Sequence, residues 1–264
     1  MSGAATPDST AELRKLAHTL GVDVGRLGMV SALPSDDLRA LRKQVGEALF
    51  QADRPAFARV AALSKAVPGA LAAKLTQATL PPLLAARTAE LLEPARAVDM
   101  VGRLSDTYLA DVSAAMDASR APEVIAAIPA ERAVKVALEL ARRQEWVVIG
   151  GFVAQVSMAA LRASVAAFDG GQLLRIGFVL DDLSRLDDIG VMLTDTQIDQ
   201  LLNAAAAAGL WTELAELLEH LQPERVARLA DRFAAAGEPI RTAFRTAVDE
   251  GLFPAASLRS LARD

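Results

Sequence analysis

The chain has 264 residues, 28 of them basic and 33 acidic, giving a formal net charge of −5, and it has no cysteine. Without a basic block, or a basic face interleaved with aromatics, neither nucleic acid nor an anionic membrane surface is expected as the main partner. The absence of cysteine excludes disulfides, thiolate-bound zinc, iron–sulfur clusters and a cysteine nucleophile.

Hydrophobic residues make up 52% of the chain but aromatics only 4%. The apolar content is mostly Ala, Leu and Val. Ala and Leu are strong helix formers, so an all-α protein is expected. The opening "MSGAATPDST" lacks the basic start and apolar run of a signal peptide and reads as a flexible tail over residues 1–9. "PDSTAELRKLAHTL" offers Asp8, Ser9 and Thr10 as caps, followed by Leu13, Leu16 and Leu20 at helical spacing. In "LPSDDLRALRKQVGEALF", Ser35 caps and Asp36 and Asp37 suit a positive helix start. Leu38, Leu41, Val45, Leu49 and Phe50 form its apolar face. Helix breakers follow at Pro55, Pro68-Gly69, Pro81-Pro82, Pro94, Pro129, Gly170-Gly171, Pro223, Gly237, Pro239 and Pro254. No segment alternates with a period of two, and no linker divides the chain. The expectation is one helical domain over 10–264, with an N-terminal cap to about residue 78, repeats over about 79–236 and a C-terminal cap beyond.

Two internal repeats carry most of the information. "LLEPARAVDMVGRLSDTYLADV" from Leu91 aligns with "AMDASRAPEVIAAIPAERAVKV" from Ala115 at an offset of 24. Leu92 then matches Met116, Arg96-Ala97 matches Arg120-Ala121, Met100-Val101 matches Val124-Ile125, and Leu104 matches Ile128. The segment from Leu80 fits weakly one period earlier. A longer repeat sets Ile128–Val156 on Leu193–Leu221 at an offset of 65 without a gap, with Trp146 on Trp211 and Phe168 on Phe233.

The second repeat decides how to read "EWVVIGGFVAQV", Glu145 to Val156. Its hydrophobic run and paired glycines suggest a strand entering a nucleotide-binding turn. Its twin, "WTELAELLEHL", carries apolar residues at 214, 217, 218 and 221, the stripe of a helix. A helix is therefore expected here, and the dinucleotide fingerprint lacks both its third glycine and its acidic partner. The apolar stretch from Trp146 to Leu161 is broken by Gln155 and Ser157 and falls short of the roughly 20 residues a bilayer requires. No transmembrane segment is expected, and a cytoplasmic protein is the default.

The 24-residue unit pairs a leucine with a Pro/Ser/Thr cap, then acidic and aliphatic residues. In "LLEPARAVDMVGRLSDTYLADV", "IAAIPAERAVKV" and "LEHLQPERVARLADRF" it resembles the intracellular N-terminal helical domain of MgtE-type magnesium transporters. A related superhelix occurs in flagellar motor switch proteins. The resemblance covers roughly Leu80 to Phe233 and implies a stand-alone right-handed superhelix, an α-solenoid of short helical repeats. In the transporters this domain precedes a regulatory pair and a membrane pore, neither of which is expected here. Transport is accordingly not implied.

Candidate sites follow from the residue types. His18 and His220 stand far apart without ligand-spaced neighbours, and no nucleophile elbow is present, so no catalytic residue is assigned. "LDDLSRLDDIG" gathers Asp181, Asp182, Asp187 and Asp188 as weak cation candidates. Helix capping explains them as well, with Asp187 and Asp188 in the first turn of a helix running to Leu193. No cofactor is expected.

The sharpest lead is a difference between the long repeats. Thr212, Glu213, Glu216, Glu219 and His220 of the second copy become Val147, Val148, Gly151, Ala154 and Gln155 in the first, beside Phe152. A face that should be solvated is apolar or small. Either another segment of the chain covers it or a partner does. On the second alternative the leading function is a non-enzymatic adaptor or regulator that binds a protein or peptide, a second copy in a homodimer included. The other is a carrier of a hydrophobic, lipid-like molecule in a pocket lined by residues such as Val148, Phe152, Met158 and Phe168.

Overall fold

The computed structural model describes residues 7–64 and 67–251, and among these every regular element is helical. The N-terminal hairpin is α1 (Pro7–Leu20) and α2 (Ser35–Ser64), joined by a 3-10 turn at Val24–Val30. Because α1 begins at Pro7, Asp8 and Ser9 are already helical, and Ser9 is buried, where the sequence suggested tail. Pro55 does not end a helix as expected. It lies on the exposed side of α2, which runs through it, so solvent can serve the backbone carbonyl its missing N–H leaves unpaired.

Short helices follow in pairs. They are α3 (Gly69–Thr79) and α4 (Pro82–Ala89), α5 (Pro94–Val101) and α6 (Asp106–Ala115), α7 (Pro122–Ala126) and α8 (Ala130–Arg142), and α9 (Trp146–Val153) and α10 (Met158–Ala167). Then come α11 (Gly170–Phe178), α12 (Leu186–Met192), α13 (Asp195–Ala208), α14 (Trp211–Glu219), α15 (Pro223–Ala234) and α16 (Glu238–Asp249). Most pack mainly on the helix two places away, while α14 and α16 pack on α11 and α13, three places back. One row is α4, α6, α8, α10 and α12; α3, α5 and α7 form a second row, and α9, α11, α13 and α15 a third.

The 65-residue repeat is visible in the helix starts. Ala130, Trp146 and Met158 open α8, α9 and α10, and Asp195, Trp211 and Pro223 open α13, α14 and α15. The 24-residue repeat appears likewise in Pro82, Asp106 and Ala130, with α10 following after 28 residues. The preceding caps, Pro81, Ser105, Pro129 and Ser157, all have extended backbone with ψ between 138° and 154°. Proline pre-sets that conformation, while Ser105 and Ser157 accept from Tyr108 N–H and Ala160 N–H, so two residue types solve one geometric problem.

One position also closes the ends of earlier helices. The Tyr108 hydroxyl donates to Thr76 and Leu80 carbonyls at 3.2 and 2.8 Å, and Arg132, 24 residues later, donates to Val101 and Leu104 carbonyls. Gln197, at the 65-residue offset from Arg132, donates to Val165 and Phe168 carbonyls at 2.7 and 3.0 Å. These side chains satisfy carbonyls that a helix end leaves without partners.

The tightest approach is between α11 and α13. A Cβ on Gly170 would collide with the backbone of Gln197 and Leu201, whereas one on Gly102 would meet nothing closer than 3.6 Å. Gly170→Ala is expected to lower unfolding stability in urea by about 2 kcal/mol, the scale of overpacking against backbone. Gly102→Ala should fall within about 1 kcal/mol of the wild type, on the stabilising side.

Candidate functional site

Helix α9 carries the residues singled out in the sequence, and the structure places each of them. Val148 is buried in the largest apolar cluster. Val147 and Trp146 pack against Ala11 of α1 and Phe178 and Val179 of α11. Backbone comes close at Gly150 but not at Gly151. A Cβ on Gly150 would lie 2.6 Å from the Val179 carbonyl oxygen, and one on Gly151 would lie 3.6 Å from Asp181 Oδ2. Ala154 and Gln155 are half-buried at the helix end, where the Ala154 carbonyl accepts from Arg185 at 3.5 Å. Phe152 alone of the six lines a cavity. The Val147 side of α9 is thus covered from within the chain, by α1 and the turn after α11. Trp211, the twin of Trp146, packs on Phe244 of α16, with ring centroids 5.4 Å apart.

A buried ionic network holds α1 in place. Glu12 is fully buried and Lys15 is 4% exposed. Lys15 Nζ donates to Glu12 at 3.1 Å and to the Leu180 carbonyl at 2.9 Å, and pairs with Asp181 at 3.1 Å. Arg39 and Arg42 of α2 reach Glu12 at 3.3 and 3.2 Å, and Arg42 also reaches Asp181 at 2.8 Å. Burial alone would raise the Asp181 carboxyl, but the Lys15 and Arg42 charges and hydrogen bonds outweigh it and hold it below its ordinary value.

The four aspartates do not converge. Asp181 is engaged as above, and Asp182 caps a 3-10 turn by accepting from Ser184 N–H. Asp187 accepts from Gln222 N–H at 3.3 Å and Asp188 lies 3.9 Å from Arg185. Asp187 and Asp188 occupy the first turn of α12, which ends at Met192 before Leu193. Among the described residues no three His, Asp or Glu side chains are grouped to hold an ion. His220 is exposed, and His18 lies 3.3 Å from the Ala114 carbonyl.

The feature that sequence reasoning placed only in part is an apolar cavity of about 190 Å³ running through the helix pairs. Among the described residues no charged one lines it, and the polar side chains are the hydroxyls of Thr76, Thr88, Ser113 and Ser164. Its construction is periodic. Thr76, Met100, Val124 and Phe152 are equivalent positions in four successive pairs, as are Leu80, Leu104, Ile128 and Val156. Four further positions behave alike, beginning at Ala85, Thr88, Ala89 and Leu92. Six positions in four repeats supply twenty-four of the thirty-three lining residues. Phe168, named at the sequence level, belongs to this set, whereas Met158 is exposed and Val148 packs elsewhere.

So many lining residues around so small a volume describe a space that is long and narrow. Apolar cavities of about 150 Å³ hold one benzene, so the room here corresponds to about eight carbon atoms. Val60, 39% exposed, is the one exposed lining residue among those described.

Comparison with protein-family models, curated proteins and solved structures gives no match. No described helix is long and apolar enough to cross a membrane.

The network sets a pH dependence. A carboxyl with a lowered folded-state pKa contributes stability that is complete above its unfolded value and lost as pH falls through its folded one. Wild-type stability is expected to decline as pH falls below the ordinary carboxylate range, and Asp181→Asn to be less stable at neutral pH with a shallower acid decline. Urea midpoints measured at intervals from pH 7 to acid check this. Lys15→Met, which strips a buried partner from Glu12, is expected to cost roughly 3 kcal/mol at neutral pH.

Proposed function

We propose that the protein is a non-enzymatic binder or carrier of a slender hydrophobic small molecule, held between the helix pairs. The observation that supports this is the apolar cavity, without a charged group among its described lining residues, built from equivalent positions of four repeats. A pocket with few polar groups recognises shape and apolar surface, and gives no general acid, base or nucleophile to a bound molecule. Its narrow section suits an alkyl chain of about eight carbons, or that length of a longer one. We further infer that the stacked rows form a right-handed superhelix like the N-terminal domain of MgtE-type transporters, working in the cytoplasm. The matching caps at Pro81, Ser105, Pro129 and Ser157 support such a regular stack.

A protein or peptide partner is the second reading. It is favoured by exposed Leu71 and Leu75 on α3 and Leu83 and Leu84 on α4, between 40% and 53% exposed.

The test for the carrier is a cavity-narrowing variant that respects the repeat. Ala133 is equivalent to Leu109 and Leu161, so Ala133→Leu copies the neighbouring repeats. Native mass spectrometry of the purified wild type should show a retained hydrophobic species, or saturable uptake of added 1-octanol. Ala133→Leu should keep the wild-type melting temperature within a few degrees and weaken octanol binding at least about tenfold, the scale of lost apolar contact in a filled site. Equal binding by the variant, or uptake of neither octanol nor benzene by the wild type, would remove the cavity from consideration.

A further inference from the structure

Thr88 stands apart in the lining. It is 7% exposed, it lines the cavity, and its Oγ1 is buried without a hydrogen-bond partner. Buried hydroxyls are ordinarily paired, because an unpaired one forfeits its hydration without replacement. The chain contains its own comparison. The position equivalent to Thr88 is Val112 and then Val136 in the next two pairs, the same shape without the hydroxyl, and Ser164 in the fourth, where the residue is only half-buried and its oxygen is not left buried without a partner. Valine therefore meets the packing requirement at this position, and packing alone gives no reason for the oxygen. The other hydroxyls of the lining, on Thr76, Ser113 and Ser164, sit on half-buried residues.

Resting on the ligand-binding function proposed above, we propose that Thr88 is a specificity-determining residue, pairing its hydroxyl with a single neutral oxygen on an otherwise apolar chain. The ligand class is a medium-chain alcohol, or a longer lipid carrying a hydroxyl at that depth. An ionised carboxylate is disfavoured because no cation lines the cavity among the described residues and a buried charge without a partner is strongly penalised. A pure hydrocarbon would leave the Thr88 oxygen unpaired. Thr88 Oγ1 can both donate to and accept from an alcohol, which makes a hydroxyl its natural complement.

The experiment uses the full chain and three probes, 1-octanol, octanoate and benzene, titrated by NMR into the wild type, Thr88→Val and Thr88→Ser. The wild type should bind octanol at least tenfold more tightly than octanoate. Thr88→Val should weaken octanol about tenfold, the upper range for one hydrogen bond, while leaving benzene unchanged. Thr88→Ser should retain most of the octanol affinity. Without ligand, Thr88→Val should melt no lower than the wild type, since it removes an unpaired polar atom and copies the repeat. Unchanged octanol affinity in Thr88→Val would overturn the assignment and leave a hydroxyl served by solvent only. Equal loss of octanol and benzene would also overturn it, as a packing effect. If benzene binds the wild type and octanol does not, the cavity function stands and the role of Thr88 falls. If none of the three probes binds, both fall.

Discussion

A helix of five to thirteen residues is too short to be stable alone, and that constraint organises this protein. The nucleation cost of such a helix must be met by packing its apolar face on neighbours. Helices α3 to α10 therefore stack in rows, each on the helix two places away. Stacking at a fixed interval brings the same residue positions to the same place in every pair. Six such positions face a common interior, and where their side chains do not quite fill it, a continuous apolar space remains. The cavity is a consequence of the repeat, and the shape and polarity of its lining depend on how each copy departs from the pattern.

The N-terminal hairpin answers a different problem. Helix α9 carries valine and glycine where its twin α14 carries glutamate, and such a face needs a cover. Helix α1 supplies it, anchored by Glu12 and Lys15 to α2 and to the turn at Leu180 and Asp181. Burying a charge is favourable only when every partner is in place, so this network specifies one docking position for α1 more than it adds stability. Gly150 belongs to the same arrangement, since the Val179 carbonyl passes too close above it to admit a Cβ, whereas Gly151 has ordinary room beside Asp181.

Much of the helical pattern was legible in the residues. The offset of 65 places Trp146 on Trp211, and both begin helices. The offset of 24 predicted the starts of α6 and α8, because a cap is a local event involving a few consecutive residues. The run through Pro55 was not legible, since a proline's cost depends on whether solvent reaches the carbonyl it leaves open. Phe152 and Phe168 were named as pocket residues, but most of the lining was not. Thr76, Val112 and Ile128 resemble ordinary core positions, and nothing in their identity says that the space before them is unfilled.

The sequence by itself determined that the chain is all-helical, where most helices begin, and that two copies of one unit differ at Val147, Val148 and Gly151. Those properties depend on propensity, capping and periodicity, which act over a few residues. Only the tertiary structure decided that α1 covers that face, that the aspartates at 181, 182, 187 and 188 each take separate partners, and that Thr88 is buried beside an apolar space without one. These depend on which distant segments meet. Lys15 and Leu180 are 165 residues apart, and no local pattern encodes their contact.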